Sequence, residues 1–141
     1  FALDGGARLI IRPSGTEPRC KIYVETTADV GGDLILLQRR LMVEAKALAN
    51  AFTHLVLARI GIELPDWALE ISDMVSIEDR LRWCNELIPE LTTVVDTAPE
   101  TAADWVARHT TKDARALLKP GIEALARTDR AVGTTLLPYF S

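Results

Sequence analysis

Two cysteines, Cys20 and Cys84, in 141 residues are too few for a disulfide scaffold, and a reducing compartment is the natural setting. Histidine is equally scarce. His54 and His109 stand 55 positions apart, with neither cysteine at ligand spacing, so no metal motif forms. A basic excess is missing as well: sixteen Lys and Arg against twenty Asp and Glu leave a net charge of −4 and a pI near 5.2. Wholesale binding to nucleic acid or to an anionic membrane needs a basic field, so neither is expected. A small basic pocket for one phosphate stays open. The most apolar stretch, residues 34–60, is interrupted by Arg39, Arg40, Glu44, Lys46 and Arg59, which argues against a membrane span. The opening residues lack the basic region and apolar run of a signal peptide, so a cytoplasmic protein is expected. Residue 1 is Phe, which fits a piece of a longer polypeptide.

What the chain does contain is enough apolar material for a core. Hydrophobic residues make up 48%, charged residues 26%, and mean hydropathy is +0.11, which excludes a disordered tail. A mass of 15.5 kDa suits one domain, or one small domain with an appendage. A compact chain of this size buries roughly 70% of its unfolded surface.

Residues 1–26 differ in texture from the rest. Phe1 to Leu3, Asp4-Gly5-Gly6, and Ala7 to Arg12 read as strand, tight turn, strand. Cys20 to Glu25 reads as a further strand, with Ile22 and Val24 on one face and Lys21, Tyr23 and Glu25 on the other. Between them, Pro13 to Arg19 carries two prolines and must be a loop. After Gly31-Gly32 the period becomes helical. Asp33 caps a helix carrying Leu34, Leu37, Leu41, Leu48, Phe52 and Leu55 and ending near Gly61. That helix is apolar around much of its circumference, so burial on more than one side is expected, or a subunit interface along 34–60. Only helical signals follow. Ser76 to Asp79 resembles a capping box, Pro99 opens a short helix through Val106, and Thr111 caps 114–118. Lys119-Pro120-Gly121 should interrupt before a helix resumes at Ile122. The expected class is α+β: a small antiparallel sheet remnant with a long packing helix, then an all-α C-terminal segment. The boundary falls near residue 61, giving 1–61 and 62–141.

Chemistry concentrates in Arg12-Pro13-Ser14-Gly15-Thr16-Glu17-Pro18. A phosphate needs donors on several sides and positive charge nearby. Ser14 and Thr16 offer hydroxyls, and Gly15 allows close backbone approach. Arg12 offers a guanidinium fork at a strand end, and Arg19 or Lys21 adds field. Within 1–24 the basic residues Arg8, Arg12, Arg19 and Lys21 outnumber Asp4 and Glu17. By residue type alone an ordinary proline-braced turn with exposed hydroxyls is the slightly favoured reading, since Ser, Gly, Thr and Pro are what any loop uses.

The string itself is more specific. Arg-Pro-Ser-Gly-Thr-Glu-Pro-Arg before a Lys-Ile-Tyr-Val-Glu strand resembles the signature of the α-D-phosphohexomutases, found in their C-terminal phosphate-binding domain. The family comprises phosphoglucomutases, phosphomannomutases and phosphoglucosamine mutases. The resemblance covers about residues 1–58 and implies that Arg12, Ser14, Gly15 and Thr16, with Arg19 more weakly, grip the phosphate of a hexose phosphate. It further implies an isomerase of the phosphotransferase kind, moving phosphate between positions 1 and 6, with Mg²⁺ in the parent enzyme and the remaining mutase domains as partners. The family's phosphoserine loop, metal loop and sugar-binding loop do not occur here, so this chain alone is expected to be inactive and to bind no metal.

Other residues have plainer readings. Ser14 lacks a general base at hand, since His54 and His109 fall on helical segments. His54 is expected on a helix face and His109 at a helix end. Trp67, Trp83 and Trp105 are expected as core anchors, because basic neighbours suited to stacking with bases are sparse. The rival to a mutase fragment is a non-enzymatic helical interaction module, supported by the 80 residues past position 61 that carry no recognised motif.

Overall fold

A computed structural model describes residues 1–16 and 20–141. It is an α+β chain that divides into two compact units, Phe1–Ile62 and Glu63–Ser141.

The first unit is built on a two-stranded antiparallel sheet, β1 (Arg8–Pro13) and β2 (Cys20–Glu25). The expected strand at Phe1–Leu3 shrinks to one bridge between Ala2 and Arg8. The turn before β1 is a 3-10 turn at Asp4–Gly6, closed by the Leu3 amide on the Ala7 carbonyl and the Leu9 amide on the Phe1 carbonyl. Gly5 and Gly6 both sit at φ 82°, which explains the glycine pair: a side chain there would be strained.

The register pairs Arg8 with Glu25, Leu9 with Val24, Ile10 with Tyr23, Ile11 with Ile22, and Arg12 with Lys21. Leu9 is buried and Ile22 and Val24 half-buried, whereas Lys21, Tyr23 and Glu25 are exposed, so the strand faces fall as their alternation predicts. Helix α1 (Leu34–Arg59) begins where Asp33 Oδ1 accepts from the amides of Ile35 (2.8 Å) and Leu36 (3.2 Å). Thr26 ties β2 to it by donating to the Leu41 carbonyl. Burial of α1 on more than one side is not found. Leu57 is its only buried residue, and Leu34, Ile35, Leu36, Met42, Val43, Leu55 and Val56 stand exposed. A two-stranded sheet offers too little surface to cover a helix of 26 residues. By length and composition α1 would also pass as a membrane span, with a mean hydropathy of 1.2 over 18 residues, although Glu44 and Lys46 lie inside it.

The second unit is helical: α2 (Asp66–Leu69), α3 (Ile77–Arg82), α4 (Ile88–Thr97), α5 (Ala102–His109), α6 (Lys112–Thr128) and α7 (Arg130–Leu136). Three caps appear as side-chain hydrogen bonds: Ser76 to the Asp79 amide, Thr111 to the Ala114 amide, and Asp129 to the Val132 amide. Ser76 also donates its hydroxyl to the Asp79 carboxylate, so the two side chains are joined to each other and only the hydroxyl-to-amide half of the expected capping box forms. Between α3 and α4 the helix widens into a π turn at Trp83–Leu87, where the Ile88 amide reaches the Trp83 carbonyl. Pro89 follows directly. The widened turn relieves the clash its ring would make with the carbonyl four residues back.

Pro120 does not interrupt the chain as its sequence context suggests. α6 runs unbroken through Lys119-Pro120-Gly121. One missing amide costs about 3 kcal/mol in a helix interior. Burial of Leu118, Ile122 and Leu125 on one face outweighs it, at roughly 2 kcal/mol for each buried aliphatic side chain. The same stretch is docked from outside, where the Ser72 amide donates to the Leu117 carbonyl at 3.0 Å. Gly121 makes the approach possible, because a Cβ there would collide with the Ile71 side chain and lie 3.2 Å from the Trp67 carbonyl. Leu91, Val106, Ile122, Leu136 and Phe140 are almost wholly buried. Trp83 packs edge-on against Phe140 with ring centroids 5.7 Å apart. Trp83 and Trp105 are the core anchors expected; Trp67 is only half-buried.

Candidate functional site

The hairpin of β1 and β2 brings the loop chemistry to one end of the sheet. Opposed residues in an antiparallel ladder project to the same face. Arg8, Ile10 and Arg12 therefore share a face with Glu25, Tyr23 and Lys21. At the far end Arg8 and Glu25 form an ion pair, 3.7 Å apart and well exposed. At the loop end Arg12 faces Lys21, a second cation in place of an acid. Like charges directly opposite each other destabilise a sheet by an amount similar to what an opposite pair contributes. The loop mouth thus carries a local positive field that nothing in the ladder neutralises.

Pro13, expected in the loop, instead closes β1 opposite Cys20, and the backbone leaves the ladder after it. Ser14 is half-buried, while Gly15 and Thr16 are exposed. A Cβ built at Gly15 would meet no heavy atom within 4 Å, and its φ lies outside the left-handed region. Its backbone is approachable from solvent on that side. Among the described residues, no hydrogen bond or ion pair engages the guanidinium of Arg12 or the hydroxyls of Ser14 and Thr16. These donors remain available to an anion. Arg19, the fifth candidate, lies outside the described residues, as do Glu17 and Pro18. The Arg12–Lys21 juxtaposition is the feature that residue-by-residue reading passed over. Counting outward from the loop centre at equal steps would have found it.

Elsewhere the residues with reactive side chains have structural employment. His109 closes α5, its Nδ1 2.8 Å from the Trp105 carbonyl and its ring stacked on the Trp105 indole at 3.9 Å. His54 is half-buried on α1. Burial pushes the Cys84 thiol up to about 11, partly opposed by the Arg80 charge, so it is a poor nucleophile. Arg80 is 8% exposed and donates to the carbonyls of Val75, Ala68 and Ser72, at 3.2, 3.3 and 2.9 Å. Desolvation lowers its pKa, and the nearby charge of Asp73 opposes the shift. No cluster of three or more His, Cys, Asp or Glu able to hold a metal ion exists among the described residues.

Searches of curated proteins and of solved structures found no match to the chain. The family comparison did find one, over the strand, loop and strand just described. Residues 1–32 match the phosphoglucomutase/phosphomannomutase family, C-terminal domain.

Proposed function

We propose that residues 8–25 are the phosphate-gripping element of a phosphohexomutase, and that its ligand is the phosphate of a hexose phosphate. The observation that carries this reading is the Arg12–Lys21 pair facing across the ladder at the mouth of a loop with open hydroxyl and amide donors. A dianion between the two cations turns a repulsive pair into two attractive ones. Arg12 supplies a bidentate fork, Ser14 and Thr16 donate hydroxyl hydrogens, and Gly15 lets the backbone close on the oxygens. Their work is positioning and charge neutralisation rather than bond making. The family match supports a mutase-related parent. In that parent the reaction is phosphoryl transfer between positions 1 and 6 of a hexose, in the cytoplasm. The phosphorylated serine and the Mg²⁺ site belong to segments other than these 141 residues, and the chain alone is inactive.

A second reading has its own observation. Glu63–Ser141 is compact by itself, with a core of Leu91, Val106, Ile122, Leu136 and Phe140. It stands as a helical interaction module appended to the phosphate-binding element.

The test is a titration of inorganic phosphate and of glucose 6-phosphate, followed by calorimetry. One wall of a multi-domain cleft should bind in the millimolar range, about −4 kcal/mol. Gly15→Ala keeps the fold, since the position is open, but should weaken binding by blocking close approach. Arg12→Lys should lose most of the affinity, and Arg19→Lys little. Loss of binding in Arg19→Lys with none in Arg12→Lys would reverse the assignment. Conversion of glucose 1-phosphate by pure chain would refute the inactivity.

A further inference from the structure

We infer that the helical unit Glu63–Ser141 holds a binding site for a small organic ammonium ion carried on an apolar body. The site is a cavity among α2, the π turn that leads into α4, and the junction of α6 with α7. Its volume is about 420 Å³, within the roughly 300–1,000 Å³ of small-molecule sites. Buried Ile88 and Leu125, with half-buried Trp67 and Val132, give it an apolar lining.

Charge and hydrogen-bonding capacity decide the class of ligand. Among the described residues, Asp129 is the only ionised side chain that lines the cavity, and no Lys, Arg or His does so. Its Oδ1 accepts from the Val132 amide at 3.2 Å, and no other contact engages the carboxylate among the described residues. A second acceptor comes from the π turn. The Ile88 amide is taken up by the Trp83 carbonyl, and residue 89 is proline, which has no amide. The Cys84 carbonyl, in the same wall, is therefore left without either its α or its π donor. The Cys84 thiol, pushed up to about 11 by burial, adds no charge at neutral pH. Two acceptors, one of them anionic, in an otherwise apolar cavity complement a positively charged donor. The Trp67 indole in the lining favours a cation further.

An inorganic cation is the poorer occupant. It would need several ligating atoms, and no group of three His, Cys, Asp or Glu able to hold one exists among the described residues. It would also leave the apolar lining to water, whereas the body of an organic amine covers it.

Titration of the full chain with 2-phenylethylamine at pH 7 and matched ionic strength tests this. Tryptophan emission is the readout, since Trp67 lines the cavity. Saturable binding is expected with a Kd of about 1 mM. 2-Phenylethanol, alike in shape but uncharged, should bind about 10-fold more weakly, and the anion 3-phenylpropionate weaker still. Nα-acetyl-lysine amide stands for a lysine of another protein and lacks the aromatic body, so it should also bind about 10-fold more weakly. Asp129→Asn keeps a side-chain cap for α7 and should abolish the preference for the amine over the alcohol. Should that variant unfold, Cys84 decides. Saturating amine should slow its alkylation by iodoacetamide about 10-fold and leave exposed Cys20, in the other unit, unchanged. The inference is overturned if 2-phenylethylamine shows no saturation by about 20 mM, twenty times the expected Kd. It is equally overturned if the alcohol, the acid or the lysine amide binds as tightly as the amine, or if the preference survives Asp129→Asn. Failure of the amine to protect Cys84, or equal protection of Cys20, has the same consequence.

Discussion

Gly133→Ala sets two well-measured effects against each other. Gly133 lies inside α7, where alanine is favoured over glycine by about 1 kcal/mol. A Cβ there, however, would run into the backbone nitrogen and Cα of Ala126 and lie 2.6 Å from the Leu125 carbonyl carbon. These are backbone atoms of α6 and cannot rotate aside. Retreat of α7 is also resisted, since Asp129 caps its start and Leu136 and Phe140 are buried beyond it. Overpacking of this kind costs roughly 3 kcal/mol or more, so destabilisation by about 2 kcal/mol should win. For a unit of this size that lowers the melting midpoint by roughly 10–15 °C. Trp67, Trp83 and Trp105 all lie in Glu63–Ser141, so tryptophan emission reports this unit alone. Gly31→Ala, in open space, is the control and should leave the emission melt unchanged. A midpoint raised by Gly133→Ala would mean that helix propensity outweighs packing and that α6 and α7 are not in close contact.

Arg80→Met should cost about 3 kcal/mol in urea unfolding followed by tryptophan emission, because it removes the guanidinium that donates to the carbonyls of Ala68 and Val75 and takes from Ser72 one of its two donors, leaving it the Val75 amide. Cys84, with its pKa raised to about 11 by burial, should be alkylated by iodoacetamide at pH 8 far more slowly than exposed Cys20, as peptide mass spectrometry would show. The raised value also sets a sign. Its stabilising contribution is whole below about pH 9 and is lost as pH climbs through about 11, so Cys84→Ala should flatten that part of the urea-midpoint profile. Asp33→Ala removes two accepted hydrogen bonds at the start of α1 and should cost about 1 kcal/mol, read as lost helical circular dichroism on heating.

The sequence by itself determined whatever depends on near neighbours. Asp33, Ser76 and Thr111 are legible as caps because their hydrogen bonds reach only two or three residues along the chain. The two faces of β2 follow from its alternation. The loop's residue string also located the candidate site, though not the arrangement of its charges. Tertiary structure decided the rest. That Arg12 stands opposite Lys21 depends on the register of two strands, a choice made by the pairing of Leu9 and Ile11 with Val24 and Ile22. That α6 passes through Pro120 depends on Ile71 and Trp67 settling over Gly121, some fifty positions away in the chain. That α1 keeps an uncovered apolar face depends on a sheet of only two strands. In each case the deciding energy comes from burial and pairing between residues distant in sequence, which local propensity cannot weigh.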